Sequence, residues 1–157
     1  GLAILLKTTL ANHCTITTDF LFSHLSFELA RLNLIVNQQR LSVFLAYRTP
    51  PNHKNKLTVQ MFFDELPDLL NLCASCQCSY VLAGDFNFHV NDLSDFHATS
   101  FCEQLEIFNL RITQSVTEAT HKRGNCLDLV ISRTDDTIVH STEVCHDLSS
   151  DHYEVVS

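Results

Sequence analysis

The chain has 157 residues, enough for one domain with a sizeable core, and its 45% of apolar residues argues against disorder. A net charge of −8 with neutral histidines argues against a large basic face for the nucleic-acid backbone. It leaves room for a metal-dependent phosphoester site, where cations bridge acidic ligands to phosphate. No apolar run approaches the ~20 residues of a membrane-spanning helix, so no membrane partner is expected.

Residues 2–7 read as a strand entered midway, too short and wrongly flanked for a signal peptide. Thr15, Thr17 and Thr18 hint at a short extended piece. A hairpin follows: 25–36 alternates loosely (Phe27, Leu29, Leu32, Leu34, Val36), 37–40 turns and 41–47 returns. Pro50 and Pro51 stop the sheet, because neither can donate to a ladder. Val59, Phe62, Phe63, Leu66, Leu69, Leu70 and Cys73 recur at three and four residues and predict a helix over 57–73. Pro67 should kink that helix or divide it in two. The seven cysteines are odd in number and scattered through apolar segments, which fits reduced thiols of an intracellular protein. Cys73, Cys76 and Cys78 are close together, but no second Cys/His pair follows at zinc-finger spacing, so packing is the better reading.

The run from Ser79 to His89 is β-favouring and ends abruptly in Gly84-Asp85-Phe86-Asn87. On an extended backbone Asp85 and Asn87 share one side and Phe86 points into packing. Such a carboxylate can hold a metal or take a proton from water, and the carboxamide can orient that water or a phosphate oxygen. An Asx-rich turn closing the strand accounts for the same four residues. Asp92 or Ser94 can cap a second helix over 95–108, 111–116 is a short strand or link, and Gly124-Asn125 is a turn. Residues 126–132 and 137–144 read as strands, and Ser149-Ser150-Asp151-His152 feeds a last short one. Strands with two interposed helices suggest one layered α/β or α+β domain over 1–157.

Four pieces could carry chemistry: Tyr47-Arg48 at a strand end, Asp85 with Asn87, Asp128, and Asp151-His152. Asp128 lies in an apolar strand, where a buried carboxylate needs a partner. A histidine is the natural one, since the carboxylate fixes its tautomer and stabilises the imidazolium. Asp128 and His152 therefore make sense together.

In this order the pieces resemble the endonuclease/exonuclease/phosphatase superfamily, and most of all the endonuclease domain of non-LTR (LINE-type) retrotransposons. Tyr47-Arg48-Thr49-Pro50-Pro51 resembles that group's Tyr-Arg-Pro-Pro with a Thr inserted. Ala83-Gly84-Asp85-Phe86-Asn87 carries its Gly-Asp-Phe-Asn. The stretch from Thr120 to Ser132 is similar to its Thr-His…Leu-Asp-Leu-Val-Ile-Ser strand, and Ser150-Asp151-His152 to its Ser-Asp-His.

The resemblance implies a DNase-I-like four-layer α/β/β/α sandwich and Mg²⁺- or Mn²⁺-dependent phosphodiester hydrolysis. DNA is the implied substrate, a reverse transcriptase domain follows in an intact element, and nuclear action is implied only by the DNA. Asp85 would deprotonate or align the attacking water, and Asn87 would hold that water or a phosphate oxygen. His152, oriented by Asp128, would contact the scissile phosphate. Asp151 would belong to the metal site, and Tyr47 would bond a phosphate oxygen or assist the leaving group. Arg48 would add a phosphate contact. The family's pattern also places an Asn and a metal-ligand Glu ahead of the strand that 2–7 represents, so the chain is expected to be incomplete at its N-terminus. Glu28, on a later strand, is no substitute. Two alternatives follow: a catalytically inactive remnant, or a superfamily phosphatase acting on a small phosphoester.

Overall fold

The computed structural model describes residues 2–11, 15–19, 24–36, 38–146 and 150–157, and divides into two compact units, Gly1–Leu82 and Ala83–Ser157.

The first unit is built on the predicted hairpin, β2 (Phe27–Val36) and β3 (Gln39–Arg48) in our numbering. It is preceded by a one-turn helix α1 (Thr8–Ala11) and a strand β1 (Thr15–Asp19) that pairs antiparallel with β2. The hairpin register runs from Phe27 opposite Arg48 to Val36 opposite Gln39. The turn is therefore shorter than the expected 37–40, leaving residues 37 and 38 to connect. Gln38 is left-handed at φ 67°, as a tight hairpin turn requires, and residue 37 lies outside the described residues.

Along β3, Ser42, Phe44, Ala46 and Arg48 are buried and the residues between them are half-buried, the period-2 pattern of a strand with one core face. Next in sheet order comes β4 (Ser79–Asp85), whose Tyr80 meets Phe44 edge-on at 5.8 Å.

Helix α2 (Val59–Ala74) covers this face with Phe62, Leu66, Leu69, Leu70 and Cys73. Thr58 caps it by accepting the Met61 N–H. Pro67 does not divide it. The helix runs on through the exposed proline to Ala74. From the same helix Glu65 accepts the backbone N–H groups of Leu25 (2.9 Å) and Ser26 (3.0 Å) and the Ser26 hydroxyl, fixing the entry to β2.

Residues 2–7 form no strand. Their β-favouring composition supplies a preference but no ladder partner, and the Leu2 N–H instead reaches the Glu28 carboxylate at 3.2 Å.

The second unit holds the C-terminal end of β4, helix α3 (Phe96–Ile107), β5 (Leu110–Ile112), β6 (Asp128–Arg133), β7 (Glu143–Cys145) and β8 (Glu154–Val156). β6 pairs antiparallel with β5, and β7 with β8. The cap of α3 is Asp95, not Asp92 or Ser94. Its carboxylate accepts from His97 (3.0 Å) and Ala98 (3.1 Å), whereas Asp92 is engaged by Ser94 in the preceding turn. Phe101 of α3 packs on Phe86 and Phe88, each at 5.1 Å, and so anchors the segment that follows β4.

The strand expected over 137–144 is confined to Glu143–Cys145. Asp136 accepts the Ile138 N–H at 3.0 Å, and this local turn competes with ladder pairing.

Candidate active site

β4 ends at Asp85, immediately after Gly84, whose φ of 151° is one that L side chains rarely adopt. The chain then departs from the expected extended geometry. Asn87 is left-handed at φ 53°, and its N–H donates to the Asp85 carboxylate at 3.0 Å. The Asx turn and the paired carboxylate and carboxamide thus coexist in the same residues. Phe86 is fully buried, as its alternation predicts, and its N–H donates to the Leu127 carbonyl at 3.0 Å. That bond carries the end of β4 alongside the residue preceding Asp128.

Asp128 opens β6, and its carboxylate meets His152 Nδ1 at 2.8 Å. The partner required by a carboxylate in an apolar strand is the expected histidine. His152 reaches it because its segment is bound to residues 120–122. The Lys122 N–H donates to the Asp151 carbonyl (2.9 Å), the Tyr153 N–H to the Thr120 carbonyl (2.7 Å), and His121 and His152 form an antiparallel bridge.

Asp128 is held by polar residues that the sequence reading did not single out. The buried Thr120 hydroxyl accepts the N–H groups of Leu127 (2.9 Å) and Asp128 (3.0 Å). Buried Gln114 donates to the Asp128 carbonyl and accepts the Val130 N–H. Asn91 ties the turn together by donating to the Gly124 carbonyl and accepting from Cys126. Thr120→Val keeps the shape but leaves one buried and one part-buried N–H group without that acceptor, so a loss of about 2 kcal/mol is expected. Urea unfolding checks it as a lower midpoint at unchanged slope.

Ligand atoms of Asp85, Asp128 and His152 all lie within 4.8 Å of one another. Burial, and then the neighbouring Asp128 charge, hold the Asp85 carboxyl above its ordinary range, against the opposing pull of Asn87 and His152. For His152, burial opposes the charged ring, but the hydrogen bond and charge of Asp128, with Asp85 and Asp151 behind them, outweigh it and raise the imidazole pKa. The site therefore holds a carboxylate that binds its proton readily beside an imidazole that is favoured as imidazolium.

A second group within the same 4.8 Å limit is His121, Asp151 and His152. The Arg123 N–H donates to His121 Nδ1 at 3.1 Å, which leaves the proton of the neutral ring on Nε2. That nitrogen lies 3.6 Å from the Asp151 carboxylate, beyond a direct hydrogen bond, so the contact between them is electrostatic. The Asp151 carboxyl is held below its ordinary range, first by its own backbone N–H. A hard divalent cation takes carboxylate oxygens, and each group offers them beside His152, Asp85 and Asp128 in the first and Asp151 in the second, so either fits such an ion.

In the first unit, Tyr47 is half-buried at the end of β3 and Arg48 beside it is 3% exposed. Strand alternation puts the two on opposite faces. The Arg48 guanidinium lies over the Phe62 ring at 5.3 Å, which gives it a packing role.

The mixed sheet with few helices has a DNase-I-like α/β fold, shared with solved structures at 12–15% identity. The endonuclease domain of TRAS1, a telomere-specific non-LTR retrotransposon, superposes with a TM-score of 0.65 at 13% identity, over 89% of this chain and 65% of that one. The human Nocturnin catalytic domain gives 0.58 at 15%, over 92% and 58%. Zebrafish (D. rerio) TDP2, complexed with a single-strand DNA product, gives 0.56 at 12%, over 91% and 65%. The chain thus spans less than two thirds of each of these proteins. The Endonuclease-reverse transcriptase family matches residues 41–156, and the chain belongs to that family. No curated protein matches it. Among the described residues no helix is long and apolar enough to cross a membrane.

Proposed function

We propose that residues 1–157 act as the endonuclease domain, or part of one, of a retrotransposon polyprotein, nicking DNA by hydrolysis of one phosphodiester bond. The observation that carries this reading is the Asp128–His152 hydrogen bond of 2.8 Å with the Asp85 carboxylate within 4.8 Å. Asp85, whose carboxyl is held above its ordinary range, takes the proton of the attacking water, and the Asn87 carboxamide orients that water or a phosphate oxygen. His152 uses Nδ1 on Asp128 and keeps Nε2 for the scissile phosphate, where its positive charge offsets the charge that develops as the water oxygen bonds to phosphorus and the leaving oxygen departs. Asp151 would hold Mg²⁺ or Mn²⁺, which when bound neutralises phosphate charge. By the resemblance alone, Tyr47 joins as a hydrogen bond to a phosphate oxygen or to the leaving group, while the phosphate contact expected of Arg48 is left out because its guanidinium is buried on Phe62. A reverse transcriptase domain downstream and action in the nucleus belong to the same proposal.

The test pairs substrates. The folded chain with Mg²⁺ is given supercoiled plasmid and, in parallel, a small phosphomonoester. Nicked circles lost with EDTA and in Asp151→Ala support the proposal. Orthophosphate released without nicking favours a superfamily phosphatase, and neither product from a folded chain favours an inactive remnant.

A further inference from the structure

Within the first unit a pocket of about 550 Å³ is lined by Arg31, Asn33, Ser42, Cys76, Gln77 and Cys78 among others. Cys76 Sγ and Cys78 Sγ are 3.3 Å apart. The Arg31 guanidinium, stacked on Phe44 at 5.1 Å, points one nitrogen at Cys76 Sγ (3.7 Å) and at the Ser42 hydroxyl (3.0 Å). Ser42 touches both sulfurs, at 3.6 Å and 3.5 Å, and donates to Asn33 at 2.8 Å.

We propose that Cys76 and Cys78 form a peroxide-reactive dithiol site, with Cys76 the attacking thiolate and Cys78 the resolving thiol. A cation and a second thiol directed at one sulfur are what a reactive cysteine needs. Burial pushes the Cys76 thiol up, yet the Cys78 backbone, the Ser42 hydroxyl, the Cys78 thiol and Arg31 together bring it below its ordinary value. Cys102 and Cys126 lie the other way. Burial and then the charges of Glu106 and Glu103 raise the first, and burial and then Asp128 push the second up to about 11. Residues 76–78 connect α2 to β4 outside any helix or strand, so the sulfurs can close the remaining distance without breaking a ladder.

The chemistry balances with hydrogen peroxide as oxidant. The Cys76 thiolate attacks one peroxide oxygen, an S–O bond forms, the O–O bond breaks, and the hydroxide released takes a proton and leaves as water. The Cys78 thiolate then attacks the Cys76 sulfur, an S–S bond forms, and the sulfenic oxygen leaves as a second water. Two thiols and one peroxide become one disulfide and two waters.

The test uses the full, reduced chain treated with equimolar hydrogen peroxide, followed by intact mass and peptide mapping. A loss of about 2 Da, mapped to a Cys76–Cys78 linkage and reversed by dithiothreitol, is expected. Cys78→Ser should stop at the sulfenic acid, trapped on Cys76 by dimedone. Cys76→Ser should lose both products. In the unsubstituted chain at neutral pH, Cys76 should alkylate on the order of tenfold faster than Cys102 or Cys126. Linkage through other cysteines, or Cys76 alkylating no faster than those two, would overturn the proposal without need of any variant.

Discussion

Asp85→Asn is expected to lower phosphodiester hydrolysis by roughly 10²–10⁴-fold, the range for removal of a general base, while leaving the chain at least as stable. The two effects part because they come from one electrostatic fact. Burial and the Asp128 charge raise the folded-state pKa of Asp85 above its ordinary value of 3.8. A carboxyl raised on folding binds more protons in the native state than in the unfolded one between those two pKa values. Stability is therefore present below the unfolded pKa and lost as pH rises through the folded one. At neutral pH the charged Asp85 costs stability, and the neutral amide removes that cost while still accepting the Asn87 N–H. Thermal melting beside a rate assay checks both halves. A parallel loss of melting temperature and rate would mean that Asp85 serves the fold instead.

The second large effect is the coupling of Asp128 and His152. His152→Ala should lose about 10²–10³-fold in rate, as for removal of one transition-state donor, and Asp128→Ala nearly as much. The double variant should be little worse than either single one, because each residue acts through the other across their 2.8 Å contact. The pH profile supplies a sign. Asp128, Asp85 and Asp151 favour the imidazolium, so activity that needs it is retained below the raised pKa and falls as pH passes through it. Asp128→Asn removes the largest favourable partner, and the falling limb should move to lower pH. Strictly additive losses, or an unmoved limb, would separate the two residues.

The parts of this site that were legible in the sequence are those whose chemistry is local or demands a partner. A Gly-Asp-Phe-Asn ending to a β-favouring run announces a turn with a carboxylate, and a carboxylate in Leu127-Asp128-Leu129 cannot be buried alone. Gln114 and Asn91 carried no comparable signal, and Thr120 was marked only as the start of a family-like stretch, with no role attached. Each is an ordinary polar residue until the fold sets a backbone group 7 to 35 positions away against it. His121 was legible only as part of the Thr120–Ser132 stretch, and its place beside Asp151 depends on the bridge it forms with His152. Pro67 was expected to kink the helix or divide it, and of these the division does not occur, because the buried face of Phe62, Leu66, Leu69, Leu70 and Cys73 carries the helix past the one hydrogen bond a proline removes. Residues 2–7 show that strand composition is not strand pairing. The DNase-I-like fold was legible from the order of the four motifs, and the turn at Asn87 from its Asx-rich residues, whereas the extended placing of Asp85 and Asn87 on one side failed because alternation assumes a strand that continues.

The most direct measurement is the conversion of supercoiled plasmid to nicked circles with Mg²⁺ by the parent chain, Asp85→Asn and His152→Ala, each first shown to be folded by circular dichroism. Nicking by the parent alone, abolished by EDTA, is the predicted result. A folded parent that leaves the plasmid supercoiled, or variants that nick at the parental rate, would contradict the assignment of hydrolysis to these residues.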